Sequence, residues 1–276
     1  MRLCRECGLP HVSDLAACPD CGWAPPLRNG FPAYAPELDA EGTAGFKPEA
    51  FAELARLEEG HFWFQARNRI ILWAIERHAP APRSILEIGC GTGFVLQALV
   101  KRFPRTHVTG SEVFTTGLVY AKRRVPGVHL CQMDARDIGH VAEFEVIGAF
   151  DVLEHIAEDD RVLDSVRRAL VPGGVLVLTV PQHPWLWSPA DDYACHERRY
   201  TARDLTAKLQ KAGFHIEQST SFVTLLLPAM MLSRLQKRRE AADTRDPASE
   251  FRLPALLNAL FLVIMRVEFL LLRLGL

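Results

Sequence analysis

The 276-residue sequence lacks an excess of charge of either sign: 32 Lys and Arg face 33 Asp and Glu, a formal net charge of −1. That balance excludes a chain that grips nucleic acid through bulk positive charge, though not one with a local basic patch. It also lacks an apolar run at its beginning, which reads Met1-Arg2-Leu3-Cys4. No secretory leader is therefore expected, and the cytoplasm is the expected compartment. No internal repeat of solenoid spacing is present, which excludes a stacked-repeat architecture. Apolar residues are not scarce. At 49% hydrophobic and 24% charged the chain is not mostly disordered. Its length suffices for one large domain or two smaller ones, and for a core without disulfide staples.

Seven cysteines are present, and four fall within the first 21 residues as C-x2-C-x10-C-x2-C: Cys4, Cys7, Cys18 and Cys21. Each C-x2-C pair brings two thiolates together from one tight turn, and Gly8 and Gly22 follow where such a turn needs a positive φ. Two such knuckles supply the closed tetrahedral shell of a structural zinc. In a reducing compartment clustered cysteines more often bind metal than pair with each other. So short a segment has little core, so the metal would supply most of its folding energy. Residues 1–24 are thus expected to form a zinc ribbon.

Residues 25–48 are rich in Pro, Gly and Ala without an apolar period and read as a linker. From Pro48 to about His78 the apolar spacing turns helical. Short apolar strands then alternate with helices. Strands are expected at 84–88, 107–110, 129–132, 145–150, 175–180 and 214–221; helices at 92–102, 115–124, 158–170 and 201–212. This alternation predicts an α/β fold, a doubly wound, mostly parallel Rossmann-like sheet covered on both faces, over residues 49–222. Residues 223–276 form an apolar tail interrupted by a charged stretch from Arg234 to Arg252.

The first of these strands runs into a glycine loop, S-I-L-E-I-G-C-G-T-G-F from Ser84. Gly89, Gly91 and Gly93 leave backbone N–H groups open to a ligand at the next helix N-terminus. Glu112 ends the second strand, where a carboxylate suits the two hydroxyls of a ribose. The ligand therefore carries a nucleoside. It is not a typical dinucleotide, because the sixth position of the G-x-G-x-x-G/A fingerprint is Phe94. The acidic Glu87 before the loop suits an ammonium better than a phosphate, and S-adenosylmethionine ends in one.

At this point the sequence resembles the class I S-adenosylmethionine-dependent methyltransferases, type 11/12-like. The resemblance rests on E-I-G-C-G-T-G, Glu112, D-A-R-D at Asp134, F-D-V-L-E-H-I at 150–156 and L-V-P-G-G at 170–174, and covers about residues 60–222. It implies that Glu87 and Gly89, Gly91 and Gly93 form the methionine end of the cofactor pocket. Glu112 then takes the ribose, and Asp134 and Ala135 take the adenine. Phe150 and Asp151 lie beside the sulfonium and the acceptor. H-F-W-F-Q-A-R-N at 61–68 is similar to a lid helix of a membrane-linked subgroup, which would bring Arg67 to the cofactor carboxylate. H-E-R-R-Y-T at 196–201 resembles that subgroup's substrate-side loop. The catalytic candidates are Asp151, His155 and His196. Asp151 reads as a cofactor-side or structural acid rather than a base. Glu154-His155 reads as a helix-start pair or a metal pair that lacks a second acid at the usual spacing. His196 reads as a general base or a polar loop residue.

The tail from Leu253 to Leu276 is long enough to cross a bilayer. Arg266 and Glu268 near its middle would each cost about 2.5–3.5 kcal/mol there. An in-plane membrane contact through 222–276 is the expectation, with Arg234, Lys237, Arg238 and Arg239 near anionic headgroups; a packed or dimer-forming helical pair is the alternative. The family's seventh, antiparallel strand cannot be located after Ser221, which puts the sheet's edge in question. The expected function is methyl transfer from S-adenosylmethionine to a lipid, lipid-linked sugar or isoprenoid-type acceptor at the inner face of a membrane. A nucleic-acid methyltransferase is the first rival, disfavoured because the ribbon offers no basic stripe. A non-catalytic membrane scaffold with a vestigial pocket is the second.

Overall fold

The computed structural model describes residues 1–11, 17–39, 47–237 and 253–275. Two short antiparallel pairs open the chain: β1 (Arg2–Leu3) with β2 (Pro10–His11), and β3 (Leu27–Arg28) with β4 (Phe31–Pro32). Two helices follow, α1 (Ala50–Leu57) and α2 (Phe62–His78). The helical stretch expected without a break is divided at Gly60-His61, where the His61 side chain accepts a hydrogen bond from the Trp63 N–H and caps α2.

The centre of the molecule then alternates β5 (Ser84–Ile88), α3 (Phe94–Arg102), β6 (His107–Glu112), α4 (Thr115–Arg124), β7 (His129–Gln132), β8 (Phe144–Phe150), α5 (Asp159–Ala169) and β9 (Leu170–Thr179). The five strands β5 to β9 form one parallel sheet in the order β7-β6-β5-β8-β9. Alternate side chains serve opposite faces. Ile85 and Val146 pack with Ile71 and Ile75 of α2 and with Leu96 and Leu99 of α3. Leu86 and Ile147 pack with Val162, Leu163 and Val166 of α5. The order reverses between β5 and β8, so the C-terminal ends of the central strands open a crevice at the switch point. A short helix α6 (Pro189–Tyr193) and α7 (Ala202–Lys211) complete the domain. Thr201 caps α7 by accepting from the Asp204 N–H at 3.1 Å, as the capping-box spacing predicts.

Two expectations need correction. Residues 214–221 form no strand, and β9 is the edge of the sheet. Their alternation is that of a half-exposed surface segment, since no neighbour among the described residues supplies a ladder. The segment read as a linker is folded between residues 27 and 38. Phe31, Ala33, Tyr34 and Ala35 are buried. Ala33 pairs in parallel with Gln132 at the β7 edge. The Gln132 side-chain amide clamps Ala35, accepting from its N–H at 2.9 Å and donating to its carbonyl at 2.6 Å. Small residues rich in Pro, Gly and Ala masked a segment whose Phe31 and Tyr34 are its anchors. Residues 40–46 of that stretch lie outside the described residues.

The tail forms α8 (Leu227–Lys237) and α9 (Ala255–Leu274). α9 lies on α2, with Phe261 edge-on to Phe62 at 5.2 Å and Phe269 edge-on to Trp73 at 6.1 Å. Of the expected basic stretch, Arg238 and Arg239 and the side chains of Arg234 and Lys237 lie outside the described residues.

Candidate functional site

The glycine loop sits where β5 hands over to α3. Gly93 begins the helix with φ +79°, and a Cβ there would stand 2.9 Å from the Ala121 Cα of α4. Glycine at 93 thus serves helix packing as well as loop conformation. Beneath the loop, Glu87 is 2% exposed and its Oε2 has no hydrogen-bond partner among the described residues. Burial pushes its carboxyl well above the usual carboxylate range, and the charges of Glu58 and Glu112 push the same way against the pull of Arg67. Glu112 is also buried. It accepts from the N–H groups of Gly91 at 3.0 Å, Val113 at 2.8 Å and Phe114 at 3.2 Å. Burial raises its pKa and those three donors oppose the rise.

A buried carboxylate with an orphaned oxygen, and a second carboxylate held on three backbone N–H groups, fit a ligand with an ammonium at one end and ribose hydroxyls at the other. S-adenosylmethionine meets both requirements. At the far end of the crevice Ala135 is buried, and Asp134 is turned onto Arg136, whose Nε lies 3.0 Å from both of its oxygens.

Arg67 of α2 and Asp151 after β8 form an ion pair. Asp151 Oδ1 also accepts from the Thr179 hydroxyl at 3.0 Å, and its backbone takes a positive φ of 58°. The Arg67 guanidinium stacks over Trp63 at 4.6 Å. The charge expected at the cofactor carboxylate is thus engaged by Asp151, while Arg67 Nε is buried without a partner among the described residues. Phe150 is core, packed among the residues of α3 and β8.

His155 and His196 meet edge to face with ring centroids 4.7 Å apart. With Glu154 they bring three ligand-capable atoms within 4.8 Å of one another. Residues 153–155 form a short helical turn, and Glu154 within it is fully buried with neither oxygen hydrogen-bonded among the described residues. Burial and the Asp151 charge push its carboxyl well up. His196 Nδ1 lies 2.9 Å from Asp191 Oδ1, and Arg199 grips the same carboxylate through Nε at 2.7 Å and Nη2 at 3.0 Å. Burial works against the ionised Asp191, but those partners prevail and hold its carboxyl far below the usual range.

At the N-terminus Cys4 Sγ is 3.6 Å from Cys21 Sγ, and Cys7 Sγ is 3.6 Å from Cys18 Sγ, all four sulfurs lying within 4.8 Å of one another. The edge of a tetrahedron with Zn–S bonds near 2.3 Å is about 3.8 Å, so the donor set fits zinc.

Sequence reasoning missed several partners. Glu58, the C-cap of α1, accepts from the Thr92 hydroxyl at 2.7 Å and 2.6 Å and from Arg124 at 2.7 Å, pinning α1 over the glycine loop. Asp191, Arg199 and Thr179 were missed as well. H-E-R-R-Y could have exposed Arg199; Glu58 and Arg124, 66 residues apart, carry no local signal.

Residues 55–219 match the family model described as a methyltransferase domain. The trans-aconitate 2-methyltransferase of Acidovorax sp. (strain JS42) is 35% identical over 104 residues, 38% of this chain and 40% of that protein. The ubiquinone biosynthesis O-methyltransferase of Psychrobacter arcticus is 28% identical over 113 residues, 38% of this chain and 43% of that protein. The chain thus spans about two-fifths of the length of these curated relatives. The [4+2]-cyclase SpnF superposes with a TM-score of 0.52 at 24% identity, over 67% of this chain and 72% of that one, a likeness of fold. Since the domain match covers more than half of the sequence and falls on the crevice just described, the chain belongs to the class I S-adenosylmethionine-dependent methyltransferases.

Proposed function

We propose that the protein transfers a methyl group from S-adenosylmethionine to an acceptor with a long apolar portion: a lipid, a lipid-linked sugar or an isoprenoid. The observation that carries this reading is a cavity of about 2040 Å³. It runs from Asp151, Thr179 and His196 along the open edge of β9 to Leu257 and Phe261 of α9. Sites for drug-sized ligands occupy roughly 300–1,000 Å³, so the space suits a larger acceptor. Acceptors of this chemistry reside in bilayers, so catalysis takes place at a membrane surface.

When bound, S-adenosylmethionine supplies a methyl carbon that is already electrophilic. The chain's task is then largely to hold reactants in line. Glu87 would hold the ammonium, Glu112 the ribose hydroxyls, and Asp134 with Ala135 the adenine. Arg67 and Asp151 fix the floor where cofactor and acceptor sites meet. His196 lines the same cavity with one ring nitrogen held by Asp191, which leaves the other to take a proton from a hydroxyl acceptor. The four thiolates of Cys4, Cys7, Cys18 and Cys21 would hold zinc and shape the ribbon.

The test uses methyl-labelled S-adenosylmethionine, purified protein, and separate soluble and membrane extracts. Label that partitions into organic solvent from the membrane extract supports the reading. Label confined to nucleic acid, protein or water-soluble metabolites overturns it.

A further inference from the structure

We propose that α9 docks flat on an anionic bilayer surface, its outward face in the headgroup–acyl boundary and its arginines among the headgroups. The use made of this docking rests on the apolar-acceptor reading; the docking itself stands on α9.

The helix is apolar on both faces: Phe261 and Met265 pack inward while a second apolar row faces out. Its two hydrogen-bonding side chains of medium length face the protein. Glu268 is 4% exposed and accepts from the Thr224 N–H at 3.1 Å and the Leu225 N–H at 2.8 Å. Asn258 accepts from the Phe62 N–H and donates to the Gly60 carbonyl, each at 2.9 Å, fastening the start of α9 to the start of α2. Facing outward are Leu256, Leu260, Val263, Val267, Leu270 and Leu274, between 47% and 88% exposed. A helix on a water-facing surface does the reverse. A continuous apolar row of this length marks an interaction site.

Crossing the bilayer is incompatible with this packing. Twenty residues would suffice in length. However, α9 is fastened along α2 by Asn258, Phe261 and Phe269, while Ile71 and Ile75 of α2 belong to the domain core. Standing α9 across the hydrocarbon would drag the domain in with it. Lying flat needs no change in the fold.

Charge selects the occupant. The outward row steps by four and three residues, a spacing that would also serve a pair of helices. Arg266 and Arg273 flank the row and are exposed, and the one acid of α9, Glu268, is turned inward. A second copy would bring arginine against arginine with no acid of α9 to answer it. Anionic headgroups answer both, while the aliphatic stems of the arginines lie along the apolar row. The same helix carries Leu257 and Phe261 at the cavity wall, so an acceptor could enter from the bilayer.

The experiment is co-sedimentation of the full chain with vesicles of phosphatidylcholine, alone or with phosphatidylglycerol. Binding is expected only with the anionic lipid, weakening as salt rises. Replacing both arginines, R266Q with R273Q, is expected to weaken it about 25-fold, some fivefold for each cation. L260N with V263N, both on the exposed row, is expected to abolish it while circular dichroism and S-adenosylhomocysteine binding stay as in the parent. Bound protein should be released by alkaline carbonate. Retention through carbonate would overturn the flat orientation. No vesicle binding, or a concentration-dependent dimer in sedimentation velocity that L260N/V263N dissolves, would overturn the lipid occupant. A water-soluble methyl acceptor would defeat the acceptor reading and leave vesicle binding as measured.

Discussion

Glu87 is buried beneath the glycine loop with a raised carboxyl pKa, so the folded state holds its proton more tightly than the unfolded chain does. Above the unfolded pKa, near 4.5, its contribution to stability therefore falls as pH rises. Glu87→Gln removes that cost. The melting temperature of the ligand-free variant should decline less between pH 5 and 8 than that of the parent. The same change should weaken S-adenosylhomocysteine binding by about 10- to 100-fold, the worth of a charge-assisted hydrogen bond, measured by calorimetry. A gain in affinity would remove Glu87 from the ammonium end of the pocket. Gly93→Ala tests packing instead. The left-handed φ and the 2.9 Å approach to Ala121 should lower stability by about 2 kcal/mol or more, read as a lower midpoint in urea. At this scale the sequence was most informative around the loop, because glycines and a preceding acid are contiguous. It was least informative for Asp151, whose pairing with Arg67 joins residues 84 apart.

Between elements, buried polar ties do what propensity cannot. The Glu58–Arg124 pair is largely withdrawn from solvent and closes on the Thr92 hydroxyl, so α1, the glycine loop and α4 are tied together. Glu58→Gln leaves a buried guanidinium without its counter-charge and should cost about 3 kcal/mol, with faster proteolysis near α1. The ribbon is tied just as directly to the segment after Asp134, proposed above as the adenine side. Leu3 N–H donates to the Gly139 carbonyl at 2.7 Å, Val141 N–H donates to the Met1 carbonyl at 2.8 Å, and Arg5 pairs with Asp137. Chelating metal from the four thiolates should therefore loosen residues 137–141 and weaken S-adenosylhomocysteine binding by about tenfold. By linkage, S-adenosylhomocysteine should tighten the hold on zinc by the same factor. Unchanged affinity after metal removal would show that the ribbon and the pocket are uncoupled. Helices and strands were legible here because their apolar periods are strong. The fold of residues 27–38 was not, because its order comes from Gln132, about 100 residues away.

Across the whole molecule the sheet has one strand order but two unlike edges. β7 is extended by the N-terminal segment at Ala33, whereas among the described residues β9 pairs only with β8. Hydrogen exchange should rank accordingly: amides of β5 slowest, with outward amides of β9 faster by orders of magnitude, and an inversion of that order would contradict the open edge. The expectation of a strand at 214–221 failed for the same reason the edge is open, since alternation alone cannot say whether a partner waits beside a segment. The pairing of β1 with residues 139–141 has a further consequence, in the time of synthesis. At 5–20 residues per second, the roughly 140 residues between the two ends take about 7–28 s to emerge from the ribosome. During that interval Cys4, Cys7, Cys18 and Cys21 are already made, and the domain against which β1 pairs is not. Early capture of zinc would close the thiolates against oxidation and deliver a finished ribbon to a docking site still to be translated.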